Sequence, residues 1–429
     1  MFESLLAALR LPDLRKRIFF VFGMFGVFVL GLHIPVPGID RQAMENLFRS
    51  GGSLFGMLDV FSGGAMRKFT IFAMGIAPYI NASIIMQLLT VAIPSLEALA
   101  KEGEHGRRKI SQYTRYLTVI LAAMQAWGMN ALLVRAGVMS PDAGAMLRLQ
   151  IVITLTAGTA FLMWVGEQIT DKGIGNGVSL VIFAGIMASL PWQLQQTVEW
   201  VREGVLAIYN VAFAGILFLA TVVAIVAIQQ AQRKIPIQHV KRVVGTKVYG
   251  GSTTYLPLRV NSAGVIPIIF ALAIQLFPLT IAQFVGTSTG FGKWLNSVAS
   301  AFNPGQSVIA AFFYGGLIIF FTYFYTAVTF NVSEVADNLK KYGSFIPGIR
   351  PGKPTLEYLD RIMTRITLAG AVFLALIALM QYWAPTITKV QTFTLVGGTS
   401  LLIVVGVALE TMQAIEAHLL MRHYEGFIK

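Results

Sequence analysis

The chain of 429 residues contains no cysteine, which excludes disulfides, thiolate metal sites and cysteine nucleophiles together. Charge is scarce: 12% of the residues are Asp, Glu, Lys or Arg while 55% are hydrophobic, where a soluble domain has about a quarter charged. A water-soluble globule is excluded, and the composition defines a polytopic membrane protein. The five histidines form no HExxH pair, and His418 and His423 do not share a helical face, so no metal and no other cofactor is expected. No Walker loop, nucleophile elbow or pair of intramembrane carboxylates is present, and the chain is not expected to be an enzyme.

What is there is apolar length. A hydrocarbon core of about 30 Å needs roughly 20 apolar residues as helix, and such segments lie near 18–36, 70–93, 116–134, 149–169, 175–194, 206–230, 262–284, 307–330, 366–384 and 392–412. Ten spans put both termini on one side. The termini and the loops sharing their side hold 24 of the 33 Lys and Arg residues, so this side is cytoplasmic by the positive-inside bias. The chain opens on a basic amphipathic stretch, "MFESLLAALRLPDLRKR", with no cleavage pattern of a secretory signal, and is expected to be retained whole.

Two cytoplasmic loops, 231–261 and 331–365, are long, basic and punctuated by Gly and Pro. In the first, "HVKRVVGTKVYGG" has β-branched residues either side of Gly245 and reads as a short hairpin. One reading of the net charge of +13 is orientation and contact with anionic lipid. The other is docking of a large acidic or RNA-rich partner, for which ribosomal RNA qualifies.

No span carries an ionisable residue at its centre; His33, Glu167, Glu410 and Glu416 lie at or near span ends. Ion-coupled carriers commonly place such groups inside the membrane, so the energy for any transport is expected to come from outside this chain. Uncharged polar residues do interrupt the spans: Asn81, Ser83 and Gln87 in the second, Gln125 and Asn130 in the third, Gln275 in the seventh. They either bond between helices or line a seam that opens. Before the second span lies "GSLFGMLDVFSGGAMRKF", a glycine-studded segment too short to cross a bilayer.

Six segments, "PVPGID", "FSGGAMRKFTIFAMGIAPYINASIIMQLLT", "GEQITDKGIGNGVSLVIFAGI", "LPLRVNSAGVIPIIFA", "GSFIPGIRPGKPT" and "GGTSLLIVVGVALE", occur in the order found in the bacterial SecY family, the central channel subunit of the Sec protein translocon, which the chain resembles over essentially its whole length. The resemblance implies an all-α polytopic fold with ten transmembrane helices in two pseudo-symmetric five-helix halves, an inverted repeat around an hourglass pore. No repeat is visible in the residues themselves. The halves would be 18–194 and 206–412, joined by an external loop 195–205 and flanked by the cytoplasmic N-terminus 1–17 and tail 413–429.

The resemblance also assigns residues. Residues 53–66 match a plug helix that closes the pore from outside; Leu54, Phe55, Leu58 and Phe61 give it one apolar face, and Gly51, Gly52, Gly63 and Gly64 supply hinges. Ile76, Ile80, Val178, Ile182, Ile269 and Ile403 match the aliphatic ring that seals around a moving polypeptide. Asn81, Ser83, Gln87, Gln125 and Gln275 fall at a lateral gate between the second and seventh spans, where Pro78, Pro267 and Pro278 supply kinks. Lys241, Arg242, Lys247, Arg350 and Tyr424 match positions that dock the ribosome and the SecA motor ATPase. SecE and SecG are the implied membrane partners, membrane lipid the surroundings, and polypeptides bearing signal sequences the substrate. The implied function is a passive protein-conducting channel of the bacterial cytoplasmic membrane, against two alternatives: a secondary solute transporter and a pore-less insertase or scaffold.

Overall fold

The computed structural model describes residues 7–40, 42–44, 59, 62–135, 137–139, 144–239, 242–244, 247–249, 253–285, 290–301, 307–390 and 398–425. Its helices are α1 (Pro12–Gly31), α2 (Ala77–Ala92), α3 (Pro94–Lys101), α4 (Glu104–Arg135), α5 (Ala145–Lys172), α6 (Gly177–Arg202), α7 (Ile208–Gln230), α8 (Ile266–Val285), α9 (Gly290–Ala301), α10 (Val308–Thr329), α11 (Val332–Lys341), α12 (Lys353–Thr388) and α13 (Thr399–Glu425). The strands are β1 (Gln232–His239), β2 (Arg242–Val244), β3 (Lys247–Tyr249), β4 (Thr253–Arg259) and β5 (Ser344–Phe345).

The ten expected spans fall on α1, α2, α4, α5, α6, α7, α8, α10, α12 and α13. Among the described residues seven helices are long and apolar enough to cross a membrane, and eight if α2 and α3, bent by 100° to one another, count as one span. The first helix starts at Pro12, so the end of the basic N-terminal stretch belongs to it, with Asp13 in its first turn. It stops at Gly31 instead of at 36, because Pro35 and Pro37 follow. The second span is helical only from Ala77. Residues 70–76, expected within it, form turns closed by hydrogen bonds such as Gly75 N–H to the Phe72 carbonyl.

The stretch 94–115, expected as a loop, is helical. The α2 helix breaks at Ile93, before Pro94, and α3 turns off at 100° to it and packs against α4. At 32 residues α4 is about 48 Å long, and at 36 residues α12 is about 54 Å, so both exceed the roughly 30 Å of hydrocarbon. Their surplus turns carry Arg107, Arg108 and Arg115 in α4, and Arg361 and Arg365 in α12.

Packing reveals a repeat that the residues conceal. In the first half, span 1 packs on spans 4 and 5, span 2 on span 3, span 3 on span 4 and span 4 on span 5. In the second half, span 6 packs on spans 9 and 10, span 7 on span 8, span 8 on span 9 and span 9 on span 10. Adding five to every number converts one set into the other; span 2 also touches span 4, a contact without a counterpart among the stronger ones of the second half. Five crossings reverse the direction of the chain, so the second copy is inverted relative to the first. The halves meet where span 7 packs on spans 2 and 3, and where span 10 packs on span 5.

The two expected basic loops fold together. Strand β1 lies between β4 and β5 in an antiparallel sheet of order β4-β1-β5, with Gln232 opposite Arg259 and His239 opposite Ser344. Strands β2 and β3 pair as a hairpin, as the residues flanking Gly245 predict. Beneath the sheet Ile235, Leu258, Ile346, Leu359 and Met363 form a small core of their own.

Candidate pore, plug exit and docking sheet

The six ring candidates join one apolar cluster fed by both halves: Ile76, Ile182 and Ile403 are buried in it, and Ile80, Val178 and Ile269 pack against it. Local chemistry places them. Ile76 is the N-cap of α2, ahead of Pro78 in its first turn. In α6 the side chain of Asn176 accepts hydrogen bonds from Val178 N–H and Ser179 N–H, so the helix starts there and Val178 and Ile182 share its face. Ile403 lies one turn into α13.

Among the plug candidates Leu54, Phe55, Leu58 and Phe61, with Gly51 and Gly52, lie outside the described residues; Asp59 and the residues from Ser62 on are described. Asp59 is buried, its carboxylate accepts Arg67 N–H at 2.8 Å, and its carbonyl accepts Gly64 N–H at 2.8 Å and the Ser62 hydroxyl at 3.0 Å. Burial pushes the Asp59 carboxyl above the ordinary carboxylate range, opposed by the Arg67 amide and by the charges of Arg67 and Lys68. Gly63 and Gly64 have φ of +72° and +81°. A Cβ on Gly63 would stand 3.1 Å from the Gly185 Cα of α6, so this turn needs glycine for conformation and for space. The Arg67 guanidinium lies 3.6 Å from the centroid of the Trp192 ring, also on α6. Downstream, Val36 N–H donates to the Phe69 carbonyl and Ile71 N–H to the Ile34 carbonyl, tying the segment to the end of the first span.

At the candidate gate, α8 packs against both α2 and α4. Asn81, Ser83, Gln87 and Gln125 are half-buried on α2 and α4, and Gln87 Nε2 donates to Ser83 Oγ at 3.5 Å along its own helix. Gln275 is buried and its Nε2 donates to the Ala310 carbonyl of α10 at 3.4 Å. It therefore holds the seventh span to the eighth within one half. Pro78 and Pro278 lie in α2 and α8.

Among the docking candidates Lys241 lies outside the described residues, and for Arg242, Lys247 and Tyr424 only the backbone is described, in β2, β3 and α13. Arg350 is exposed in the turn between β5 and α12, and its carbonyl accepts the Thr355 hydroxyl at 2.8 Å. The imidazole of His239 lies 2.7 Å from Ser344 Oγ on β5 and 3.1 Å from Thr254 Oγ1 on β4. Where β4 runs into the bundle, Asn261, Tyr325, Glu410 and Gln413 line a polar cavity of about 200 Å³. The sequence singled out neither the His239 bridge, the Arg67–Trp192 pair nor this cavity, since each joins residues distant along the chain.

Helices long and apolar enough to cross a membrane, in two halves that share a packing pattern and one apolar cluster, with a basic sheet at one end, define a multi-pass membrane protein. The chain belongs to the SecY family, whose model matches residues 70–412. It is 45% identical to the protein translocase subunit SecY of Streptomyces scabiei over all of both chains. It is 47% identical to that of Pseudomonas aeruginosa, covering 98% of this chain and 94% of the relative, and 45% identical to that of Escherichia coli, covering 98% and 95%. In fold it is similar to a structure described as a protein conducting channel, with a TM-score of 0.63 at 20% identity over 94% of this chain and 92% of the other. It is also similar to Sec61 in a canine ribosome-channel complex, with a TM-score of 0.61 at 19% identity and the same coverage.

Proposed function

We propose that the chain is the protein-conducting subunit of a translocase, passing unfolded polypeptides across the bacterial cytoplasmic membrane and releasing apolar segments sideways into lipid. The observation that carries this reading is the gathering of Ile76, Ile80, Val178, Ile182, Ile269 and Ile403, from both halves, in one apolar cluster. Aliphatic side chains grip any sequence without binding it, and a narrow apolar constriction resists water and ions when empty. The name shared by the bacterial relatives supports the same reading.

In this reading the basic sheet and both termini face the cytoplasm. Residues 53–66 are the plug, and the α2–α8 seam with Asn81, Ser83, Gln87, Gln125 and Gln275 is the lateral gate. Roughly 20 apolar residues emerging there partition favourably into lipid. Arg242, Lys247 and Arg350, with Lys241 and Tyr424, receive the SecA motor or the ribosome, which supply the driving energy; SecE and SecG complete the complex. No catalytic step falls to this chain. The solute-transporter and scaffold alternatives are not favoured.

The experiment is photo-crosslinking from a probe at Ile80 or Ile182 to a precursor stalled halfway across reconstituted vesicles, with a lipid-facing control in the fourth span. Crosslinks at the ring positions alone are expected. Protected precursor without ring crosslinks places the path elsewhere and sinks the reading.

A further inference from the structure

Two members of the ring, Ile269 on α8 and Ile403 on α13, come from the second half of the chain. Near them the two spans approach closely: a Cβ on Gly406 would stand 2.5 Å from Val265 Cγ1. Gly406 lies one turn past Ile403, and the carbonyl of buried Val265 accepts Ile269 N–H at 3.4 Å. This contact sets how near the two helices come. Apolar contact has no direction, so it holds α13 only weakly against sliding along its own axis.

A directional contact sits one turn before Ile403. The Thr399 hydroxyl donates to Gln381 Oε1 of α12 at 2.7 Å, with the two residues 0% and 1% exposed. Gly398, at φ +62°, brings the backbone so close that a Cβ there would stand 2.6 Å from the Gln381 Cβ. Its carbonyl then accepts Leu402 N–H at 3.0 Å and opens the first turn of α13. Thr399 and Ile403 are four residues apart and share a helical face. Around the pair lie Leu379, Leu401 and Leu402 of the same apolar cluster as the ring. An amide oxygen deprived of its donor in such surroundings is costly, so the bond favours a single axial position of α13.

We propose that Gln381 is a positioning residue of the ring: it holds Thr399 and thereby sets the height at which Ile403 meets a translocating polypeptide. The inference rests on the reading of the ring as the polypeptide path. It gives a task to the ninth span, which supplies none of the six ring candidates.

The test compares photo-crosslinking to a precursor stalled in the whole translocase in vesicles, from a probe at Ile403 and, in separate preparations, from one at Ile182. The ratio of the two yields cancels changes in the amount of folded, engaged channel. Thr399→Val keeps the shape and removes the hydroxyl. It and Gln381→Leu should each lower the Ile403 yield relative to Ile182 by about threefold or more. Combining them should do no more than either alone, because both remove the same bond. Thr399→Ser, which keeps the hydroxyl, should hold the ratio of the parent. Tyr323→Phe is the control for general loosening, since that hydroxyl donates to the Thr364 carbonyl at 3.0 Å and ties the eighth span to the ninth. An unchanged ratio in both Thr399→Val and Gln381→Leu, or an equal fall in Thr399→Ser or Tyr323→Phe, overturns the role of Gln381 and leaves the reading of the ring standing. Protected precursor without crosslinks from either probe in the parent overturns that reading and this inference with it.

Discussion

The guanidinium of Arg67 stacks 3.6 Å from the centroid of the Trp192 ring, joining the turn ahead of the second span to the middle of α6. Beside it Gly63 packs on Gly185 of the same helix. The turn that carries Gly63 and Arg67 is thus fastened to the fifth span at two places.

Removing the stack should loosen this fastening without unfolding the bundle. A cation–π contact of this kind contributes about 1 kcal/mol when partly desolvated. Trp192→Leu should therefore lower hydrogen-exchange protection of the amides at 64–70 by about fivefold. Arg67→Lys, which keeps the charge, should lower it less. Equal protection in parent and Trp192→Leu would mean that the glycine contact alone holds the segment.

A second weak point for substitution is the hairpin between α3 and α4. A Cβ on Gly106 would stand 1.7 Å from the Leu99 carbonyl oxygen, and backbone cannot step aside as a side-chain end can. Gly106→Ala should separate α3 from α4 at a cost above about 2 kcal/mol. Limited proteolysis should then cut within 99–106, a stretch expected to resist in the parent.

The third and fourth spans are joined by Arg115 Nε and Glu167 Oε1 at 2.6 Å, with side chains 50% and 19% exposed. Half-exposed pairs contribute about 0.5–1 kcal/mol and weaken with salt. Glu167→Gln should lower the melting temperature of the detergent-solubilised protein at low salt and by less at high salt. A salt-independent loss would assign the effect to packing.

How much of this was legible from the residues follows from the range of each interaction. Spans are set by local apolar length, so all ten segments emerge as helices, and the hairpin flanking Gly245 emerges from β-branched residues next to a turn former. Residues 70–76 are apolar enough to count as span, yet Phe69 and Phe72 find burial in a turn packed on the first span, with Phe72 stacked on Phe28 at 5.9 Å. Hydropathy registers that burial and is blind to the turn. The inverted repeat lies in which helices touch, a property that survives when the residues making the contacts have diverged. Gln275 shows the same limit within one residue: its polarity marks a contact between helices, and only the fold reveals that its amide reaches the Ala310 carbonyl of the eighth span.

Asp59 offers a test by pH. Its carboxyl titrates above the ordinary Asp range because burial penalises the charge more than the Arg67 amide, the Arg67 charge and the Lys68 charge favour it. The folded protein therefore binds this proton more tightly than the unfolded chain does. Stability must rise as pH falls through the window between the ordinary Asp value, about 4, and the raised one. Above that window the buried charge imposes a constant cost; below it the group is neutral in both states. Other carboxylates titrate in the same range, so the quantity to read is the difference in melting temperature between the parent and Asp59→Asn across pH. Asn keeps an oxygen for the Arg67 amide and carries no charge, so it should be the more stable form at neutral pH, with the gap closing as the solution is acidified. A gap independent of pH would show that Asp59 titrates as an ordinary carboxylate, and that its exchange for Asn acts through hydrogen bonding alone.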